Sequence, residues 1–271
     1  MKKLITIMLC LILSLSVFAT VGCGGGSVFN GNYKEATETE VEAFAQAVAE
    51  AEKGEEFNYN SGVKLELEIS VESSEYNMDL SAEIKSIAVE EKLQMAGEMT
   101  MSGIMPGAEE EVEESNSAKI YYVDDYMYLD TKIEGEEMKI KQPMTVDEFI
   151  GSAGSMGNMG DMGLDLDSVT SLSQLLESMG EIPNVKISID NGKSNNKIKI
   201  EATDEEMGAV GTAILVYDAS YNLIAAKVEM EMSMQISDTE SMAMSTSVVI
   251  EPWSGSIDLP SDLDTYTETM L

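Results

Sequence analysis

Long runs of strict two-residue alternation limit this chain to one broad solution, an extended antiparallel sheet. Val63, Leu65, Leu67, Ile69 and Val71 alternate with Lys64, Glu66, Glu68, Ser70 and Glu72. A strand turns successive side chains to opposite faces, so this segment carries one apolar face and one wet face. The pattern recurs at Tyr76, Met78, Leu80, Ala82 and Ile84, and again at Leu93, Met95, Gly97, Met99 and Met101. Ile120–Val123 and Tyr126–Asp130 read as a hairpin around Asp124-Asp125, and residues 138 to 141 add a short strand. In the last third, Val185, Ile187 and Ile189 lead through the Asp190-Asn191-Gly192 turn signal to Ile198, Ile200 and Ala202. Ala213, Leu215 and Tyr217 precede a turn at Asp218–Asn222. Then Ile224, Ala226, Val228, Met230, Met232, Met234 and Ile236 alternate with polar residues, and Met242, Met244, Thr246, Val248 and Ile250 close the set. Strands follow strands without intervening helices, which dictates antiparallel pairing.

Helical periodicity appears in two places. Thr39 and Glu42 have capping-box spacing and precede an apolar stripe of Val41, Phe44, Ala45, Val48 and Ala51, which predicts a helix over 39–52. Thr145 and Glu148 repeat the box. Beyond them come a Gly-, Ser- and Met-rich loop over 151–163 and a helical pattern at Leu172, Leu175, Leu176 and Met179, stopped by Gly180 and Pro183. One apolar face on every strand needs a cover, and the helices are the available one. The expected fold class is therefore α+β: a strongly curved antiparallel sheet, an incomplete barrel, with helices packed in its concave face.

The N-terminus has the three parts of an export signal: Lys2 and Lys3, an apolar run over 4–19, and small residues directly before Cys23. The run approaches spanning length, so an uncleaved transmembrane helix is the competing reading. Cys10 sits inside the apolar run and makes a poor cleavage site. The expected organisation is a signal peptide over 1–22, a lipidated Cys23 with a flexible tether over 23–38, and a single domain over 39–271. The protein would then stand on the extracytoplasmic face of the cell membrane, held by a lipid anchor at Cys23. With Cys10 removed and Cys23 modified, no thiol remains for a disulfide or a thiolate metal site.

Fifty acidic residues face sixteen basic ones, for a formal net charge of −34, and the chain has no His. Such a surface repels nucleic acid and anionic lipid headgroups. Without His or a mature thiol, Ser-His and Cys-His catalysis is excluded. A Ser-Lys pair or two carboxylates would remain, but no motif marks either, and the chain is expected to be non-catalytic and cofactor-free. The acidic stretch Glu109–Glu114 lacks the spacing of a calcium loop. Asp165 and Asp167, just before a helical pattern, suit helix N-terminal amides better than a cation.

The lipobox-like Cys23, the 39–52 helix before the Val63 strand and the Tyr121–Tyr128 hairpin form a recognisable layout. It continues through the helical region 145–179, the Tyr217–Asn222 turn and the Ile257-Asp258-Leu259-Pro260 ending. The layout resembles the lipoprotein-carrier family of LolA, LolB and LppX, and related Gram-positive lipoproteins, over nearly all of the mature chain. The resemblance implies a curved antiparallel barrel closed by helices around an apolar cavity, and carriage of lipids or lipoproteins. It brings no catalytic residues. Some members use an Arg in the cavity, and this chain has none.

Methionine is the unusual component. Met78, Met95, Met99, Met101, Met230, Met232, Met234, Met242 and Met244 fall on the apolar faces of expected strands, where Val, Ile and aromatics are the usual choice. An unbranched, polarizable side chain suits a surface that adapts to flexible apolar ligands; ordinary core filling is the alternative. Met156, Met159 and Met162 offer soft thioethers that suit Cu(I), or else an apolar lid. Three functions follow: binding or carrying an apolar ligand such as lipid, a surface interaction or structural role with a filled core, and Cu(I) capture. No protein partner is identifiable from the sequence.

Overall fold

A computed structural model describes residues 28–52, 62–73, 77–89, 92–104, 114–133, 136–145, 148, 184–192, 194–205, 208–235 and 241–269. In chain order the elements are β1 (Lys34–Glu35), α1 (Glu38–Glu52), β2 (Gly62–Ser73), β3 (Asn77–Val89), β4 (Lys92–Ile104), β5 (Glu114–Val123), β6 (Tyr126–Ile133) and β7 (Glu136–Pro143). There follow β8 (Val185–Asn191), β9 (Asn196–Asp204), β10 (Ala209–Tyr217), β11 (Leu223–Gln235), β12 (Ser241–Trp253), a 3-10 turn at Leu263–Thr265, and β13 (Thr267–Glu268). All the strands read from the alternation form.

The strands make one sheet of thirteen in the order β1-β8-β9-β10-β11-β12-β2-β3-β4-β5-β6-β7-β13. Every pairing is antiparallel except β13 on β7. The two halves of the chain meet at β12–β2, where Val248 faces Leu67 and Ile250 faces Leu65. The order ends at β1 on one side and β13 on the other, so the sheet is open.

This corrects the expected fold class. The described residues are nearly all sheet, not an α+β barrel with helices in its concavity, and α1 is the one full α-helix among them. The expected helical stretch at 172–179 lies outside the described residues. The physical reason lies at the edges: alternation gives each strand two faces but leaves open how the ladder ends, and here two-residue strands, β1 on β8 and β13 on β7, end it on either side without pairing with each other. One register row runs Ile187, Ile200, Ala213, Val228, Val248, Leu67, Ala82, Met99, Ala118, Thr131 and Met138, from β8 to β7.

The core runs along the apolar face from Met230 and Met232 to the end under the helix. There α1 lays Phe44, Ala45 and Val48 against Ile189, Ile198, Ile200, Leu215 and Tyr217. The Phe44 ring meets Tyr217 and Tyr221 edge-on, both at 5.4 Å between centroids. The helix starts one residue earlier than expected, and its capping box is Thr37 with Glu40 rather than Thr39 with Glu42. Thr37 Oγ1 accepts from the Glu40 amide at 3.4 Å, and Glu40 Oε2 accepts from the Thr37 amide at 2.8 Å. The same reciprocal box forms at Thr145 and Glu148, as expected from the sequence.

Residues 28–37, assigned to a tether by composition, are part of the folded structure. Val28 and Phe29 pack on Val216, Ile224 and Ala225 of the opposite face, and β1 pairs with β8 at the edge. The Gly-rich segment that prompted the tether reading is confined to residues before Val28; the apolar pair that follows has a surface to bury against.

The sheet has two distinguishable ends. One, the turn end, carries the Gly192–Asn195 turn, the Asp218–Asn222 turn and the Asp124-Asp125 hairpin. Asp124 and Asp125 both have positive φ (52° and 60°), the geometry that matches hairpin twist. Asp218 closes its own turn by accepting from the Ser220 and Asn222 amides. The far end carries Ser73, Asn77, Gln235 and Ser241.

At the β7 edge the chain returns over the polar face. Lys139 Nζ donates to Asp262 at 2.7 Å, and Tyr266 meets the Tyr128 ring edge-on at 5.4 Å before β13 pairs with β7. Among the described residues no helix is long and apolar enough to cross a membrane.

Candidate ligand face

The register brings most of the strand methionines singled out by sequence into one patch. Met232 faces Met244, Met244 faces Val71, and Val71 faces Met78. One step further out, Met234 faces Met242. One step inward, Met230, Thr246, Ile69, Leu80 and Met101 form the next row. Met99 occupies the central row. Met95 lies apart, toward the turn end opposite Tyr122.

Composition therefore changes along the strands. On β11 the apolar positions run Ala226, Val228, Met230, Met232, Met234 from the turn end outward; on β12 the matching order is Ile250, Val248, Thr246, Met244, Met242. Burial changes with it. Val228, Val248 and Ile250 are buried, as are Met230 and Met232; the outer Met234, Met242, Met244 and Met78 are half-buried, and Met99 retains 37% exposure. Helix α1 covers the stiff, branched end and the methionines form the less covered end. Met156, Met159 and Met162 lie outside the described residues.

Three hollows border the sheet, and of these methionines only Met230 lines one. The first, about 590 Å³, spans six adjacent strands on the polar face. Its walls are the rows Thr212, Glu229, Ser247, Glu68, Ser81, Thr100 and Val210, Glu231, Ser245, Ser70, Asp79, Ser102, and the Met230 row between them supplies its floor. The second, about 790 Å³, lies between α1 and the β8 edge, bordered by Tyr33, Phe44, Asp190 and Tyr221. The third, about 440 Å³, lies under Trp253 beside Lys85, Lys119 and Tyr121. Apart from Met230, the methionines of this face line none of these three.

The electrostatics of the polar face are those of solvated ion pairs, most of them between alternate residues of one strand. Lys64 bonds both Glu66 at 2.9 Å and Glu251 at 2.7 Å, which holds its ammonium well above the usual lysine range. Lys85–Glu83, Lys199–Glu201 and Lys227–Glu229 repeat the motif along single strands. Burial, then the charge of Asp190, pushes the Tyr33 phenol up to about 12. Burial, then Asp130, does the same to Tyr266. The Tyr266 hydroxyl is buried with no hydrogen-bond partner. Neither tyrosine is a nucleophile at neutral pH in such a setting. No cluster of carboxylates placed to hold a metal ion occurs among the described residues.

Sequence reasoning missed the docking of Val28 and Phe29 and the hydroxyl-lined hollow. The second had a signal: the outward positions Ser70, Ser81, Thr100, Ser102, Ser245 and Ser247 are hydroxyls, where a solvated strand usually places Lys or Glu.

No family model matches the chain, and no curated protein matches it. Among solved structures, a DUF1329 family protein from Desulfovibrio piger is similar at 10% identity, over 80% of this chain and 95% of that one, with a TM-score of 0.23. The translocator domain of the autotransporter NalP from Neisseria meningitidis is similar at 7% identity, over 84% of this chain and all of that one, with a TM-score of 0.14. At these scores the likenesses transfer neither fold nor function.

Proposed function

We propose that the protein is a non-catalytic cell-envelope lipoprotein, anchored through Cys23, that binds an apolar ligand such as a lipid acyl chain on its methionine face. The observation that carries the reading is the half-buried patch of Met78, Met234, Met242 and Met244 around the buried Met232 on one face of the sheet. Flexible thioether side chains reshape around flexible apolar ligands at little cost in strain. A patch placed purely to fill a core would carry the branched residues found at the helix-covered end. The anchor rests on the signal-like N-terminus with small residues before Cys23.

The test is native mass spectrometry of residues 24–271 purified without detergent, with solvent extraction in parallel. A bound lipid that is lost when Met230, Met232 and Met234 are replaced by Gln supports the carrier reading. A bare polypeptide that also takes up no acyl chain from added fatty acid removes it. The acidic surface would then carry a protein-interaction role, tested by salt-sensitive binding to a basic partner.

A further inference from the structure

The way the N-terminal segment docks assigns the protein a fixed attitude at the membrane. We propose that the sheet stands end-on, with its turn end against the lipid surface and its methionine end pointing away from the anchoring bilayer. The proposal rests on lipidation of Cys23. Phe29 and Val28 are seated against Val216, Ile224 and Ala225, next to the Asp218–Asn222 turn. Tyr33 Oη donates to the Phe29 carbonyl at 2.7 Å, the Lys197 ammonium reaches the Asn30 carbonyl, and the Asn32 amide donates to Asp190. The chain is thus fastened at the turn end from Val28 onward. From Cys23 to Val28 the backbone can extend at most about 17 Å. That is far less than the roughly 43 Å length of β11, thirteen residues long. A stand-off this short keeps the turn end at the bilayer and cannot bring the far end to it by swinging.

Charge along the strands points the same way, independently of the tether. On the turn-end side of the central register row lie Lys34, Lys64, Lys85, Lys92, Lys141 and Lys197. On the far side, the strand lysines among the described residues are Lys132 and Lys186, each one residue beyond that row. Glu66, Glu83, Glu98, Asp190 and Glu251 accompany the lysines on the turn-end side and roughly balance them, whereas Glu72, Asp79, Asp204 and Glu231 on the far side have only those two lysines against them. The acidic end is repelled by anionic headgroups, and the lysine-bearing end tolerates them. With this attitude, an apolar ligand on the Met232–Met244–Met78 patch is exchanged with something arriving from outside, not drawn directly from the leaflet that holds the anchor.

The full chain, processed and lipidated by its expression host, has no remaining free thiol, so Ala219→Cys and Ala243→Cys each give one labelling site. Both positions are exposed. They lie roughly 30 Å apart along the strands. Energy transfer from a fluorophore at each site to acceptor lipids is measured in vesicles containing anionic lipid. The expected result is strong transfer from position 219 and several-fold weaker transfer from 243. Phe29→Ser, which frees the tether, should shrink that contrast while the protein still floats with the vesicles. Equal transfer from both sites, or stronger transfer from 243, in protein that floats overturns the attitude and leaves the anchor standing. Protein that does not float overturns the anchor, and the attitude with it.

Discussion

Phe44→Ala separates what holds the sheet together from what the far end does. Phe44 is 4% exposed and sits at the centre of the contact between α1 and β8–β10. Removing a buried Phe side chain costs about 3–5 kcal/mol in lost burial and cavity formation. Part of that cost is specific. The ring makes two edge-to-face contacts, at interplanar angles of 76° with Tyr217 and 82° with Tyr221. Such pairs contribute about 0.5–1.5 kcal/mol each beyond area. Phe44→Leu keeps an apolar side chain but loses both contacts, and should therefore cost about 1–3 kcal/mol. Urea unfolding of residues 24–271 measures both, and the midpoint should fall without a change in the slope. Ligand bound per folded molecule should be unchanged in either variant, because the methionine patch lies at the other end of the strands. A loss under about 1 kcal/mol for the alanine variant would mean that α1 is not the cover of this core. Ligand binding abolished in a still-folded Phe44→Leu protein would mean that the ligand lies beneath the helix rather than on the methionines.

Two further outcomes concern the returning C-terminal segment and titration. Tyr33 and Tyr266 should ionise late, near 12, in an alkaline absorbance titration of tyrosinate. A raised phenol favours the neutral form in the folded state, so this stability is present below 10, the ordinary value, and lost as pH rises through about 12. Titration of all tyrosines together at the ordinary value would contradict the burial of both. At the acid side, the hydrogen bond from Lys139 holds the Asp262 carboxyl below its ordinary 3.8. Its contribution is present above 3.8 and lost as pH falls through the lower folded value. Lys139→Met should remove that acid dependence from hydrogen exchange of the Thr269 amide, which donates to the Lys141 carbonyl at 2.9 Å. An unchanged pH profile in the variant would show that the bond to Asp262 does not hold the segment down.

The strands were legible because their signal is local. Val63 to Val71 declares two faces with no knowledge of its neighbours, and every such run forms a strand. Turn chemistry was equally local: Asp124-Asp125 and Asp218–Asn222 turn where they were expected to. What failed was the step from strands to shape. Whether a sheet closes depends on how each edge is finished, and here that is done by residues with weak signals. Lys34 and Glu35 cap β8, and Thr267 and Glu268 cap β7 in parallel; two-residue strands leave no alternation to read. The capping box misled by two residues because Thr37 and Thr39 each precede a glutamate by three.

The methionine site was legible as a list but not as a place. Sequence put Met78, Met95, Met99 and Met101 on apolar faces alongside Met230 to Met244, with nothing to say which were neighbours. Register supplies that. It joins β11, β12, β2 and β3 so that Met232, Met244 and Met78 share a row, and it leaves Met95 apart. It also shows that adaptable side chains sit where helix cover thins and branched ones where α1 packs. A stiff residue gives up little freedom on burial in a fixed core, while an unbranched one can meet a partner whose shape is not fixed in advance. The same axis carries the lysines toward the docked N-terminal segment, where carboxylates balance them, and leaves the carboxylates of the far end largely uncompensated. Packing, adaptability and charge therefore all change along one direction, that of the strands. A sheet built only to present a uniform surface has no need of such a gradient, whereas one held at one end and used at the other does.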